Sequence, residues 1–83
     1  MNVNLRYFAS LREALGQAES LAIPAGTSVG ALRDLLIERG GAHAEALARG
    51  RAIRTALDQT LCGEAALLHD GAEVAFFPPV TGG

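Results

Sequence analysis

The chain contains no lysine; all seven of its cationic side chains are arginine. That absence excludes a P-loop, a Schiff-base lysine and a Ser-Lys dyad, together with any self-linkage through a lysine amine. A single cysteine, Cys62, cannot form an internal disulfide, which fits a reducing cytoplasm. Positive charge is scarce as well. Seven arginines against nine acids leave a net charge of −2, which argues against a nucleic-acid binder with a basic stripe. No apolar run approaches the roughly 18 residues that span a bilayer, so no membrane partner is expected. The first residues, Met1 to Arg6, lack the basic flank and apolar block of a signal peptide. A cytoplasmic protein is the expectation.

Apolar residues make up 49% of the 83 and charged residues 19%, enough to bury one core and too little chain for two. An enzyme with a deep active site of its own usually needs more chain. The composition favours a small module that works with a partner.

Residues 2–8 alternate as a strand, with Val3, Leu5 and Tyr7 opposite Asn2, Asn4 and Arg6. Residues 10–15 make one or two helical turns closed by Gly16, and residues 18–23 a second strand. A longer helix is expected over roughly 28–39, capped by Thr27 or Ser28 and stopped by Gly40-Gly41. Its apolar stripe is Val29, Leu32 and Leu36, with Leu35 widening it and Arg39 at its end. A short alanine-rich turn at 43–49, a strand at 52–57, an edge strand at 60–62, a turn at Asp70-Gly71 and a last strand at 73–77 complete the chain's elements. This order describes an α+β roll, a mixed sheet of about five strands with one main helix across a single face. The four aromatics, Tyr7, Phe8, Phe76 and Phe77, all fall in the first and last strands, so these should be central neighbours. A β-grasp arrangement satisfies that requirement. The domain is expected to occupy 1–77 and an extended tail 78–83.

Side-chain chemistry is sparse. Gly26-Thr27-Ser28-Val29-Gly30 matches the G-x-S-x-G nucleophile elbow, with Asp58 or Asp70 and His69 as the only partners, but a hydrolase sheet needs a far longer chain. The motif reads instead as a turn glycine and two helix-capping hydroxyls. His43 and His69 lack the convergent ligands of a metal site and read as surface or turn residues. Cys62 has no basic neighbour to activate it.

The tail is the informative segment. Pro78 and Pro79 break the last strand and hold the next residues extended. Six residues reach about 20 Å at ~3.3–3.6 Å each, and Gly82 and Gly83 end them as bare backbone. A frayed terminus seldom comes directly after a stiff Pro-Pro off a core strand. The pattern points to delivery of the Gly83 carboxylate into a narrow channel.

The run from Asp70 to Gly83, above all Phe76-Phe77-Pro78-Pro79-Val80-Thr81-Gly82-Gly83, closely resembles the C-terminus of the molybdopterin synthase small-subunit family, the MoaD type. Val3 to Glu13 resembles that family's first strand and turn. Asp58-Gln59-Thr60-Leu61 sits where the family tends to an Asn-Gln-Thr stretch, with Asp58 the departure. The resemblance covers the whole chain. It implies a sulfur carrier whose Gly83 carboxylate is adenylated by an E1-like enzyme of the MoeB type and then converted to a thiocarboxylate. The tail of Pro78, Pro79, Val80, Thr81 and Gly82 would insert into a large subunit of the MoaE type, in a heterotetramer of two small and two large subunits. There the sulfur would pass to cyclic pyranopterin monophosphate. On this reading the chain binds no cofactor, ATP is used by the activating enzyme, and the catalytic side chains belong to the partners. A carrier for thiamin or tRNA thiolation, a ubiquitin-like protein modifier and a plain binding module stay open as alternatives.

Strand parity adds an interface. Phe8 falls on the face of Asn4 and Arg6, and Phe77 on the face of Glu73 and Ala75, whereas Tyr7 and Phe76 have core parity. Phe8 and Phe77 should therefore form an exposed apolar patch, with Leu61 a third member that the resemblance also favours. The competing arrangement buries them under a second layer at 42–50.

Overall fold

The computed structural model describes residues 1–79; Val80, Thr81, Gly82 and Gly83 lie outside the described residues. The elements are β1 (Asn2–Tyr7), α1 (Ser10–Leu15), β2 (Ala18–Ala22), α2 (Val29–Glu38), α3 (Gly41–Ala46), β3 (Arg54–Leu57), β4 (Thr60–Cys62) and β5 (Glu73–Phe77). The sheet order is β2-β1-β5-β3-β4. β1 and β5 run parallel at the centre, and the other three pairs are antiparallel. A mixed five-stranded sheet with its longest helix across one face is the expected β-grasp roll. α2 has ten residues, and α1 and α3 have six each.

The pleat sorts the central strands. Val3, Leu5 and Tyr7 from β1 and Val74 and Phe76 from β5 lie at 0–1% exposure on the inner face. The intervening residues of both strands face outward. Tyr7 and Phe76 stack with ring centroids 6.2 Å apart, next to each other in the parallel register. Leu32, Leu36 and Val29 of α2 close the core over them, joined by Leu11 of α1 and Leu47 just beyond α3.

Ser28 caps α2, its Oγ accepting from the Ala31 N–H at 3.1 Å. Thr27 takes no part in the cap; its hydroxyl donates to the Pro24 carbonyl at 2.6 Å. The helix stops at Gly40 and Gly41, whose φ values of 75° and 53° need the freedom of glycine.

The expected apolar stripe needs one correction. Leu35 is 38% exposed and does not widen it, whereas Arg33 is 4% exposed and lies within the buried side of the helix. The guanidinium can sit there because each of its three nitrogens finds an acceptor. Arg33 donates to the carbonyls of Leu47 (2.8 Å), Ala48 (2.7 Å) and Arg51 (3.2 Å) and to the Glu64 carboxylate (2.8 Å). Arg49 also bridges Glu64 and Asp34 and donates to the Gly30 carbonyl. These arginines fasten the irregular segments 47–51 and 63–67 to α2. Arg39, at the end of the stripe, instead pairs with Glu19 of β2 at 2.7 Å.

Candidate partner interface and tail

The outer face of the sheet is built in rows by the strand register. Arg6, Ala75, Ala56 and Leu61 lie side by side across β1, β5, β3 and β4. The next row places Phe77 beside Arg54 of β3, with Phe8 continuing β1 beyond Tyr7. Two alanines at the centre leave the middle of the face low, and the aromatic and leucine side chains rise around it. The result is a shallow cavity of about 350 Å³ whose floor is Ala56 and Ala75 and whose walls include Phe8, Leu61 and Phe77.

Phe8 is held outward by the backbone. Its N–H donates to the Phe76 carbonyl at 3.2 Å, and its own carbonyl accepts from Leu11 and Arg12 at the start of α1. Between them Ala9 adopts a φ of 53°, an unfavourable region for a residue with a Cβ, and that bend turns the chain from strand into helix. The Arg6 guanidinium lies over the Phe8 ring, 5.5 Å from its centroid. Phe8 is 38% exposed and Leu61 72% exposed, while Phe77 is half-buried. Phe8, Leu61 and Phe77 thus share the outer face, the first two exposed and Phe77 only partly so. The segment at 42–50 does not cover them, because α3 packs on α1 and α2 instead. Pro78 and Pro79 come directly after Phe77, both half-buried, so the last described residues leave the sheet beside the patch. Val80, Thr81, Gly82 and Gly83, the rest of the expected tail, lie outside the described residues.

The β3–β4 turn forms one border of the cavity. Asp58 and Gln59 both have positive φ, 49° and 69°, as a two-residue turn between twisted strands requires. Asp58 Oδ1 accepts from the Glu73 N–H at 3.0 Å, and its Oδ2 accepts from His69 Nε2 at 2.6 Å. The Glu73 N–H and the imidazole hold the Asp58 carboxyl below the usual carboxylate range. Both His69 ring nitrogens face acceptors, since Nδ1 lies 2.9 Å from the Asp70 carbonyl. Only the protonated ring donates from both, and these bonds, that to Asp58 foremost, raise the His69 pKa above its ordinary value.

The other chemistry-bearing residues are occupied elsewhere. Asp58 and His69 do meet, as a triad would need, but Ser28 is engaged in capping α2. His43 packs edge-on against Tyr7, ring centroids 6.5 Å apart, 3.8 Å from the Glu19 carboxylate. The Tyr7 hydroxyl is buried with no hydrogen-bond partner among the described residues, and burial, aided by Glu19, drives its pKa upward so that it stays neutral. Cys62 is half-buried, and its carbonyl accepts from the Thr55 hydroxyl at 2.8 Å. Among the described residues no group of three or more His, Cys, Asp or Glu converges as a metal site would require. No helix among them is long and apolar enough to cross a membrane. Sequence reasoning missed Arg33, because a helical stripe read by hydropathy has no place for a cation. It also left Arg54 unremarked beside Phe77.

Fold and surface together define a ubiquitin-like β-grasp domain whose last strand leaves the centre of the sheet beside an exposed apolar face. The chain belongs to the ThiS family, whose sequence model matches residues 5–83. It is 38% identical over 81 residues to the molybdopterin synthase sulfur carrier subunit of Escherichia coli (strain K12), covering 98% of this chain and 99% of that one. Among solved structures it is similar to SAMP1 from Haloferax volcanii, with a TM-score of 0.80 at 24% identity and full coverage of both chains, which bears on the fold alone. It is also similar to a chain in the complex of subunits 1 and 2 of the molybdopterin-converting factor from Helicobacter pylori. That match has a TM-score of 0.70 at 25% identity and covers 100% of both chains.

Proposed function

We propose that this chain is the sulfur-carrier subunit of a molybdopterin synthase, and that its working group is the carboxylate of Gly83. A carboxylate is a poor electrophile. An E1-like activating enzyme consumes ATP to convert it to an acyl adenylate, with AMP as a good leaving group and pyrophosphate released. A sulfur donor displaces AMP and leaves a thiocarboxylate, a sulfur nucleophile attached to a protein address. The tail 78–83 then enters the large subunit, where sulfur passes to cyclic pyranopterin monophosphate and the carboxylate returns. Two such transfers build the dithiolene. Domain and tail divide at 77/78, the assembly holds two small and two large subunits, and the cycle runs in the cytoplasm. The small subunit supplies a group, and its partners supply the catalytic side chains.

The observation that carries this reading is the placement of Phe8, Leu61 and Phe77 as an outward patch at the point where β5 ends in Pro78-Pro79. Such a patch gives a partner a grip on the domain while the tail is led away from it. The relative from Escherichia coli, a sulfur carrier by name, and the two-subunit Helicobacter complex support the same assignment. The test is a one-residue extension after Gly83, which displaces the carboxyl group by roughly 3.3–3.6 Å, several times the ~1 Å misplacement that already slows a positioned reaction heavily. The extended chain should bind the large subunit through the patch but accept no sulfur. Normal thiocarboxylation and molybdopterin formation by the extended chain would refute the assignment.

A further inference from the structure

Charge around the docking face is uneven. The whole chain carries a net charge of −2, yet the face presents two arginines, Arg6 and Arg54, against Glu73 and, on the bordering turn, Asp58, whose carboxylate is taken by His69 and the Glu73 N–H. Arg6 is engaged within the domain: its guanidinium lies 3.8 Å from the Glu73 carboxylate and over the Phe8 ring. Arg54 is exposed, stands in register with Phe77, and has no carboxylate within ion-pair distance among the described residues. Among the described residues it is thus a charge with no carboxylate partner, beside the wall of the cavity. The floor, meanwhile, is two methyl groups, because Ala56 and Ala75 are direct cross-strand partners. The roughly 350 Å³ above them is room for a large side chain.

We infer that the partner surface which closes on this face presents a bulky apolar side chain to the Ala56–Ala75 floor and, next to it, a carboxylate to Arg54. This deepens the sulfur-carrier reading and rests on it, with the large subunit as the partner so described. An apolar knob surrounded by neutral residues would leave Arg54 partly desolvated and unpaired at the edge of the contact. A basic surround would be repelled by it. A carboxylate there converts the same charge into orientation, since the knob alone could enter the cavity with the partner rotated. Arg54 is therefore a specificity residue of the interface, and Phe8, Leu61 and Phe77 are its apolar grip.

The test measures association of the full chain with the large subunit from the same genome, by calorimetry, between about 50 and about 500 mM salt, a range over which the screening length shortens from about 14 Å to about 4 Å. Circular dichroism checks that each variant is folded. Arg54→Lys should bind within about threefold of the parent, because a rim charge is retained. Arg54→Gln should lose about threefold and Arg54→Glu about tenfold or more at low salt, with the differences shrinking as salt rises. Ala75→Leu fills the floor and should lose about tenfold at every salt concentration. Phe77→Ala is the control for the reading itself. If Arg54→Glu binds as the parent does while Phe77→Ala is weakened, the acidic complement is wrong and the sulfur-carrier reading stands. If Ala75→Leu binds as the parent does, the apolar knob is wrong. If the unaltered chain forms no complex, the reading fails and this inference with it.

Discussion

Adjacent phenylalanines with opposite duties give the sharpest test of the face assignment. Phe76 is 0% exposed, stacked on Tyr7 at the middle of the core, whereas Phe77 is half-buried on the outer wall of the cavity. Truncating a buried phenylalanine to alanine costs about 3–5 kcal/mol. A domain of this length has only about 4–12 kcal/mol of total stability, at ~0.05–0.15 kcal/mol per residue. Phe76→Ala should therefore consume a quarter of the margin at least. At about 4–8 °C per kcal/mol for a domain of this size, its Tm should fall by about 12 °C or more. Phe77→Ala loses only the covered half of a ring and should cost about 1 kcal/mol, a Tm shift of about 4–8 °C. Large-subunit binding reverses the ranking once both are compared as folded protein, because only Phe77 presents area to a partner. Phe8→Ala should behave like Phe77→Ala. The assays are thermal melts by circular dichroism and calorimetric titration with the large subunit below the lower Tm. Should Phe77→Ala or Phe8→Ala melt as far down as Phe76→Ala, the outward parity of these side chains is wrong.

Arg33→Ala strips its guanidinium donors from the carbonyls of Leu47, Ala48 and Arg51 and leaves Glu64 to Arg49 alone, and should lower stability by about 2–4 kcal/mol, read as a drop in the urea midpoint at unchanged slope. A shift no larger than that of an exposed arginine would show that segment 47–51 is held by other contacts. The Asp58–His69 pair predicts a pH window with two edges. The contribution of His69, whose folded pKa is raised, is complete below its ordinary ~6.5 and is lost as pH rises through the raised value; that of Asp58, whose folded pKa is lowered, is present above its ordinary ~3.9 and is lost as pH falls through the depressed value. Asp58→Asn keeps an acceptor for the Glu73 N–H but removes the charge, so the His69 titration followed by NMR should move down toward the ordinary value; an unmoved titration would show that the pair does not form in solution.

The fold was legible because its patterns are short-range. Alternation in β1 and β5 locates the central strands, and the clustering of all four aromatics there predicts their adjacency, realised as the parallel Tyr7–Phe76 register. Gly16 and Gly40 mark real helix ends. What hydropathy cannot express was missed. By hydropathy Leu35 belongs to the apolar stripe and Arg33 has no place in it. The fold reverses them, because burial of a guanidinium depends on carbonyls at 47, 48 and 51 supplied by a loop distant in sequence. The outward patch was legible for the opposite reason. Phe8 and Phe77 violate the polar parity of their own strands, and no nearby loop explains the violation. The tie between Asp58 and His69 was only half visible. Both residues stand out in the sequence, but their meeting depends on two consecutive positive-φ residues that aim the carboxylate back toward the start of β5.

Whether Gly83 carries the sulfur is read directly by mass spectrometry of the chain purified from its own cells, or produced together with its activating enzyme. Replacement of one carboxylate oxygen by sulfur adds about 16 Da, the kind of covalent change that alters the chemical argument. Oxidation of Met1 or Cys62 adds the same nominal mass, so the peptide must be fragmented and the increment located. Fragments containing Gly83 should carry the increment, fragments ending before it should not, and incubation with the large subunit and its pterin substrate should remove it. An increment found on Met1 or Cys62 alone, with Gly83 retaining an ordinary carboxylate in the presence of the activating enzyme, ATP and a sulfur donor, would contradict the claim.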